Sequence, residues 1–424
     1  MRIAVIGGGL TGLSCTIRLA QRDHAVTLFE SAPDLGGRTR SFYDRTTHVW
    51  VDNGPHLLIG AYSATRALLQ EAGAADHIHW QSSLKLPLWD NTRGLFTFSP
   101  KRALPFPLAM LLAASRLPGH GIADIPAMVR LARAGRLPVD VTQSVASWLD
   151  HHDIPTALRR DILDPLCLGA MNESPDSANA ASFASVLREA FSGHHAARLG
   201  WFRMPLSQAL IEPLEKRASR LGVEICTGKR IRRIRTDTEH VDVETSHGSH
   251  RRFDMAVLAV SARARNSLLG WPQRHETGAI TNIHLWFKQP LSLPSPLVGG
   301  VGTYGHWFFD IGRQMDHDDT EQGHICAVIS ADPDRSPAAT CIPRICRELG
   351  ELLDMPPPTP FHHRLVREHR ATTLVRPAPT QPVLPDRLID ASEQPLPGEF
   401  PATIEWAVRR GEQAAETASN TCLT

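Results

Sequence analysis

The sequence predicts an α/β protein. A nucleotide-binding sheet of parallel strands is interrupted by a second, α+β region and resumed later in the chain. Three observations carry this. The first 30 residues hold a strand, a glycine-rich turn, a helix with one apolar stripe and a second strand. Strand-like runs of the same style return at 223–225 and 255–260, after a long stretch of different composition. Near the end, residues 400–411 begin one more helix, with Pro401, Ala402, Thr403 and Ile404 at its start.

Each element follows from its residues. Arg2–Ile6 is a short apolar run of the kind buried in a parallel sheet. Gly7, Gly9 and Gly12 spell G-x-G-x-x-G at the strand-to-helix turn, and Leu13, Ile17 and Ala20 stripe the helix that follows. Ala25–Phe29 is the second strand, and Glu30 closes it 18 residues after Gly12. Strand, turn, helix, strand and acid in this order form the dinucleotide fingerprint of a Rossmann-like domain. Gly7 allows the tight turn, Gly9 lets the backbone approach a pyrophosphate, and Gly12 lets helix and strand pack closely. Leu10 and Thr11 open the helix, whose free N–H groups and positive dipole end face the pyrophosphate. Glu30 is placed to bond an adenosine ribose. Gly36, Gly37 and Arg38 follow at once. Two more glycines bring the chain against the cofactor and a guanidinium pairs with a phosphate, which favours FAD over NAD.

Bulk properties exclude several classes. The chain has 424 residues, 42% of them hydrophobic, so it can bury more than one core. A net charge of +1 gives no reason to expect nucleic acid, and the arginines at 230–235 alternate with Ile231 and Ile234 as on a half-exposed strand. Seven scattered cysteines without C-x-x-C suit reduced thiols of the cytoplasm. Adjacent His194-His195 and His362-His363 pairs point apart on a strand and share no helix face, so no metal site is expected. The first residues are already the nucleotide strand, which argues against a cleaved leader, and no apolar run is long enough to span a bilayer.

Along the chain, 41–51 is strand-like and ends in Asp52, Asn53, Gly54, Pro55 and His56, a turn that gathers backbone and polar groups. A helix is expected over about 62–72 and a hairpin over 84–98. Residues 104–115 form a 12-residue apolar stretch preceded by Lys101 and Arg102 and followed by Arg116. That pattern fits either a core helix or a segment lying in a membrane interface at an entrance for a lipid. Residues 141–172 and 205–220 look helical. Strands at 280–288 and 306–310 carry Trp286, Trp307 and Phe308, candidates for the wall of a long apolar pocket. The chain thus divides into FAD-binding segments 1–80, 205–265 and 385–424, with substrate-domain segments 81–204 and 266–384 between them. The strand of Ile231, Glu393 and the helix starting at Pro401 are expected to return to the nucleotide site.

These features together resemble the FAD-dependent amine oxidase and phytoene desaturase superfamily. Closer motifs are DNGPH at 52–56 with LLIGAY at 57–62, PLCL at 165–168 with Asn172, VREHRAT at 366–372, and PATIE at 401–405 followed by AVR. They resemble the hydroxysqualene dehydroxylases, the squalene-associated FAD-dependent desaturase family of bacterial hopanoid synthesis, from Met1 to about Ala415. The family usually has Gln at Pro55 and a Gly-Asp-Trp-Thr-Asp-Thr-Gly run where this chain has 390–400; Ser392 and Glu393 can stand in for its Gly-Asp.

The resemblance implies an amine oxidase-like fold and reductive loss of an allylic hydroxyl; His56, in its turn near the expected flavin, is then either the general acid or a residue that structures the turn, and Trp286, Trp307 and Phe308 are candidates for steadying a cation. It implies a long apolar isoprenoid substrate and squalene-pathway enzymes as partners, while the interfacial reading of 101–116, if it holds over the core-helix one, adds a peripheral place on the inner face of the cell membrane. Another isoprenoid or carotenoid desaturase or isomerase, or a non-catalytic FAD-stabilised scaffold, fits the same cofactor motifs.

Overall fold

The computed structural model describes residues 1–273, 275–315, 322–332, 336–377 and 382–421. Cys422 and part of the proline-rich connector expected over 376–385 lie outside them.

A five-stranded parallel sheet runs in the order Glu224–Cys226, Ala25–Phe29, Arg2–Ile6, Met255–Leu258, Leu388–Asp390. Its strands are drawn from three distant parts of the chain. Both faces are covered, so Ile3, Ala4, Val5, Leu28 and Val257 are all fully buried and the runs show no alternation. One face carries the first helix, Leu10–Ala20, and the last, Ile404–Thr421. These helices pack so closely that a methyl group on Gly411 would lie 2.3 Å from the Thr11 carbonyl oxygen. The Ser14 hydroxyl donates to the Val408 carbonyl at 3.0 Å, and Arg18 binds Glu412 and Glu71. The other face carries a three-stranded antiparallel sheet, Ile231–Thr236, Val241–Thr245 and His250–Phe253.

A seven-stranded sheet takes strands from both intervening regions, in the order His362–Thr373, Thr277–Phe287, Gly323–Ile329, Trp307–Asp310, Leu297–Gly300, Leu86–Asp90, Gly94–Phe98. One face packs Ile283, Leu285, Phe308 and Ile325 against Ile345 and Leu349 of the helix Ala338–Leu352. The opposite face looks toward the nucleotide sheet across a cavity.

Three segments depart from expectation. Residues 41–51 are not one strand but a hairpin, Ser41–Asp44 with Val49–Asp52, turned by His48 at φ 56°. The Asp44 carboxylate holds that turn by accepting from the Thr46 and Thr47 amides. Residues 141–172 are broken after Val145–His151, where Asp153 takes a φ of 49° and Pro155 cannot continue a helix. The chain resumes at Thr156–Leu158, widens into a π-turn over Arg159–Leu163 and finishes as Asp164–Met171. A second π-turn, Ser207–Ile211, opens the expected 205–220 helix.

Candidate active site

The two glycine pairs meet. The first strand ends in a turn where the Gly7 amide donates to the Phe29 carbonyl at 2.8 Å and Gly7 takes a φ of 110°. A methyl group on Gly7 would lie 2.2 Å from the Ala259 carbonyl oxygen, and one on Gly12 would lie 1.8 Å from the Gly7 carbonyl oxygen. Both positions therefore exclude a side chain for packing reasons. Gly9 differs, because a methyl group there would point into open space. Gly36 bridges to Gly9 as a short parallel pair, with its amide donating to the Gly8 carbonyl at 2.8 Å. Glu30 accepts from the Gly8 and Ala32 amides, each at 2.7 Å.

From this cradle a cavity of about 1520 Å³ extends between the sheets. Its polar end is walled by Gly7, Gly9, Leu10, Thr11, Glu30, Gly36, Gly37 and Arg38, and further along by Asn53, Gly54, Pro55, His56, Glu393, Ala402, Thr403 and Ile404. Its far end is apolar, with Leu84, Phe98, Ile162, Leu166, Phe191 and Leu199. Both π-turns deliver wall residues, Ile162 from one and Ser207 and Ile211 from the other, as such turns do at functional sites. A volume of this size exceeds that of ordinary small-ligand pockets, roughly 300–1,000 Å³, and suits a dinucleotide plus an extended chain.

The residues fit FAD. Asn53 is buried, and its Oδ1 has no hydrogen-bond partner among the described residues. The Gly9 side of the turn is open, and the starts of two helices reach the cavity. Arg38 pairs with Glu393, its Nη1 donating to Glu393 Oε1 at 2.9 Å and to the Ala371 carbonyl at 2.6 Å, with a second Arg38–Glu393 contact through Nη2. The Thr373 amide also donates to Glu393, at 3.0 Å. The altered 390–400 loop is therefore tied to the Gly36-Gly37-Arg38 turn. The fully buried Arg265 holds the loop from behind through Asp390 and Ser392.

His56 lines the cavity with Nδ1 at 2.9 Å from the Gly54 carbonyl oxygen. That contact makes Nδ1 the donor and leaves Nε2 with its lone pair. Burial lowers its pKa, the Gly54 bond opposes that, and the Arg38 charge lowers it further.

Five expected residues stand elsewhere. Gly12 serves packing and does not line the cavity, and neither does the buried Pro401 before the last helix. Ile231 is not at the nucleotide site. It packs with Ala4, Phe29, Val243 and Phe253 between the two sheets, and Thr227 lines the cavity instead. Phe308 faces the other way from the pocket, because alternate residues of a strand point to opposite faces; Trp307 and Phe309 line the cavity and Phe308 joins the core behind. Trp286 shares the face of Asn282 but lies four residues farther, roughly 13 Å along the strand, where it stacks on His324 at 4.3 Å and on His284 and meets His362 at a tilt.

Asn282, Asn172, Tyr62 and Phe309 line the cavity without having been singled out as site residues. Asn282 donates to the Asn53 carbonyl at 2.8 Å and crowds Gly54, where a methyl group would lie 2.6 Å from its amide nitrogen. Asn172, at φ 53°, accepts from the Ala331 amide at 2.6 Å and donates to Thr372 at 3.0 Å, so it joins the substrate helices to the sheet. Asparagine tolerates the left-handed region that ends a helix, the one local signal that marked it.

Two buried groups beside this site titrate in opposite senses. Burial pushes the His284 pKa down from 6.5 to about 4, and burial pushes Asp52 up to about 6 against hydrogen bonds from Ser41 and Leu206. Between pH 6.5 and 4 the unfolded chain takes the extra proton at His284, which costs stability as pH falls. Over much of that range the folded protein takes the extra proton at Asp52, which adds stability as pH falls. The two offset one another. In Asp52→Asn the second is gone, so on acidification from pH 6.5 to 4 the variant loses about 3 kcal/mol relative to the parent. Urea melts across that range check this; parallel curves would refute it.

The comparisons agree with this geometry. Residues 10–417 match the family described as flavin containing amine oxidoreductase. A hydroxysqualene dehydroxylase of Sinorhizobium fredii is 27% identical over 431 residues, covering 98% of each chain. The 15-cis-phytoene desaturase of Arabidopsis thaliana is 23% identical over 332 residues, 73% of this chain and 56% of that one. Among solved structures, an oxidoreductase from Methanosarcina mazei superposes with a TM-score of 0.75 at 16% identity, over 98% of this chain and 100% of that one. The chain belongs to the flavin-containing amine oxidoreductase family and is an FAD-dependent oxidoreductase.

Proposed function

We propose that this enzyme removes the hydroxyl of hydroxysqualene reductively, so that the alcohol and reduced flavin give squalene, water and oxidised flavin. The observation that carries this reading is similarity to hydroxysqualene dehydroxylases over 98% of both chains. The phytoene desaturases match a smaller share. The cavity agrees, being polar where the cofactor motifs converge and apolar beyond. Family membership sets aside the non-catalytic scaffold reading.

Reduced FAD, when bound, supplies the electron pair as a hydride donor. The chain's own residues do the rest. Leu84, Phe98, Leu166 and Phe191 bind the apolar chain and keep water out. Trp307 offers its ring to the allylic cation left when the C–O bond breaks. The leaving oxygen needs a proton, and the His56 side chain is placed to give one from Nε2 when the imidazole is charged.

Anaerobically reduced holoenzyme incubated with hydroxysqualene should yield squalene with reoxidation of the flavin, and oxidised holoenzyme given phytoene should neither desaturate it nor lose its flavin colour. Squalene absent while phytoene is turned over would favour the desaturase reading. Because the His56 pKa lies below 6.5, turnover that uses its proton falls as pH rises through that lowered value. His56→Ala should lose about 100-fold or more in kcat and flatten the profile. A variant with full flavin, full rate and an unchanged profile would remove His56 from the chemistry.

A further inference from the structure

The helix Phe106–Ala114 has no polar side chain in nine residues. Its inner side buries Ala109, Ala113 and Ala114, and its outer side exposes Pro107 and Leu108. A helix on a protein surface ordinarily turns a polar face to water. Here the charged groups that flank the helix in sequence are all basic: Lys101 and Arg102 before it and Arg116 after it, each exposed. The helix is fastened to the short turn His194–Ala197, where the Phe106 ring meets His194 edge-on at 4.9 Å and His194 Nε2 lies 2.9 Å from the Leu104 carbonyl oxygen.

That same turn leads into a cluster of unpaired cations. Arg198 lies over the Trp80 ring at 4.9 Å, and Arg66 over the same ring at 5.8 Å. Among the described residues neither has a carboxylate partner; Arg66 donates only to the Gly60 carbonyl. The Arg198 Nε is buried and has no acceptor. Burial first, and then the charges of Arg66 and Arg102, push the Arg198 pKa down. Partly buried guanidiniums that crowd one another without an acid are stabilised by an anion from outside. Elsewhere in the chain Arg18, Arg93, Arg265, Arg376 and Arg409 each have an acid of their own.

The segment that joins the helix to the cluster reaches the cavity. Ala197 and Leu199, on either side of Arg198, line its apolar end.

We propose that the protein docks by this edge on an anionic lipid bilayer. The Phe106–Ala114 helix enters the boundary between headgroups and acyl chains. Arg66, Arg102 and Arg198 close on a lipid phosphate. The 194–199 wall becomes the passage by which an apolar substrate leaves the bilayer for the cavity. Charge complementarity selects the occupant: every charged side chain within 101–116 is a cation and Arg66 and Arg198 lie close by, the pattern of an interfacial helix on acidic lipid. Binding is read without turnover, so the inference stands or falls apart from the proposed reaction.

Flavin-loaded enzyme should sediment with vesicles of phosphatidylglycerol and phosphatidylcholine, and weakly or not at all with phosphatidylcholine alone. Binding should fall as salt screens the charges. Each arginine changed to glutamine should weaken partition roughly fivefold, and Arg66→Gln with Arg102→Gln and Arg198→Gln about 100-fold. Leu108→Asp, on the exposed side, should abolish binding while leaving the flavin spectrum and Tm unchanged, which keeps the test decisive if the arginine variant folds poorly. Equal binding to both vesicle types, or acidic-vesicle binding indifferent to both variants, would overturn the proposal. So would saturable binding of inorganic diphosphate by the arginine cluster without vesicle binding, which would make it a site for a soluble anion.

Discussion

Gly12→Ala yields a protein that keeps no flavin through gel filtration and melts at lower temperature even without cofactor. The added methyl group would lie 1.8 Å from the Gly7 carbonyl oxygen, so the first helix must lift from the sheet. Overpacking a well-filled contact costs about 1–3 kcal/mol, and here backbone meets backbone with no flexible side chain to yield. Gly9→Ala separates the two effects. Its methyl group meets no protein atom, and Gly9 has an extended ψ at a φ of −75° that alanine adopts freely. The apo protein should keep its Tm and still bind FAD at least about 100-fold more weakly, because the methyl group occupies the approach to the pyrophosphate. The flavin-to-protein absorbance ratio and melts of both apo proteins decide this. Normal flavin retention by Gly9→Ala would place the cofactor elsewhere.

Glu405→Ala is expected to cost about 3–5 kcal/mol, the largest loss of any single carboxylate in the nucleotide domain. Glu405 is fully buried. It accepts from the Ala64 amide at 3.0 Å, the Thr65 amide at 2.9 Å, the Thr65 hydroxyl at 2.7 Å and Arg409 Nε at 2.8 Å. The first three lie at the start of the helix Ser63–Glu71, where a negative charge is favoured by the free N–H groups and the dipole. Alanine would leave these donors buried and unmet. Glu412, also bonded to arginine but partly exposed, is the control, and Glu412→Ala should cost at most about 1 kcal/mol. Urea unfolding of the two apo variants measures the contrast, and equal losses would contradict the assigned role.

Glu405 also shows where sequence was enough and where it was not. The PATIE segment carried a family signature and a helix start, and Ala402, Thr403 and Ile404 do line the cavity. The next residue turns away to hold a helix 340 positions earlier, a partner no local pattern announces. The nucleotide turn was legible because its constraints are local: Gly7 needs a positive φ, and Gly12 must clear a carbonyl five residues back. Trp307 and Phe308 were not separable, since a strand buried on both faces offers aromatic surface at every position and only the register says which side faces the cavity. The His362–Thr373 strand escaped notice because its sequence, HHRLVREHRATT, is polar on both faces. The Asn53–Asn282 contact joins residues 229 apart, and only the fold brings them together.

The parallel sheet has one more consequence, which concerns time. Arg2–Ile6 and its neighbour Met255–Leu258 are finished long before Leu388–Asp390 exists. At roughly 5–20 residues per second of synthesis, the first strand waits about 20–80 s for the outermost one. The helix Ile404–Thr421, which must slide its glycine against the first helix, arrives later still. Throughout that interval Leu13 and Ile17 lack their final cover, as does the outer edge of Met255–Leu258 once that strand has been made. Until residues 388–421 have been made the growing chain is expected to need chaperones, and a product that stops short of them is expected to aggregate and to hold no flavin.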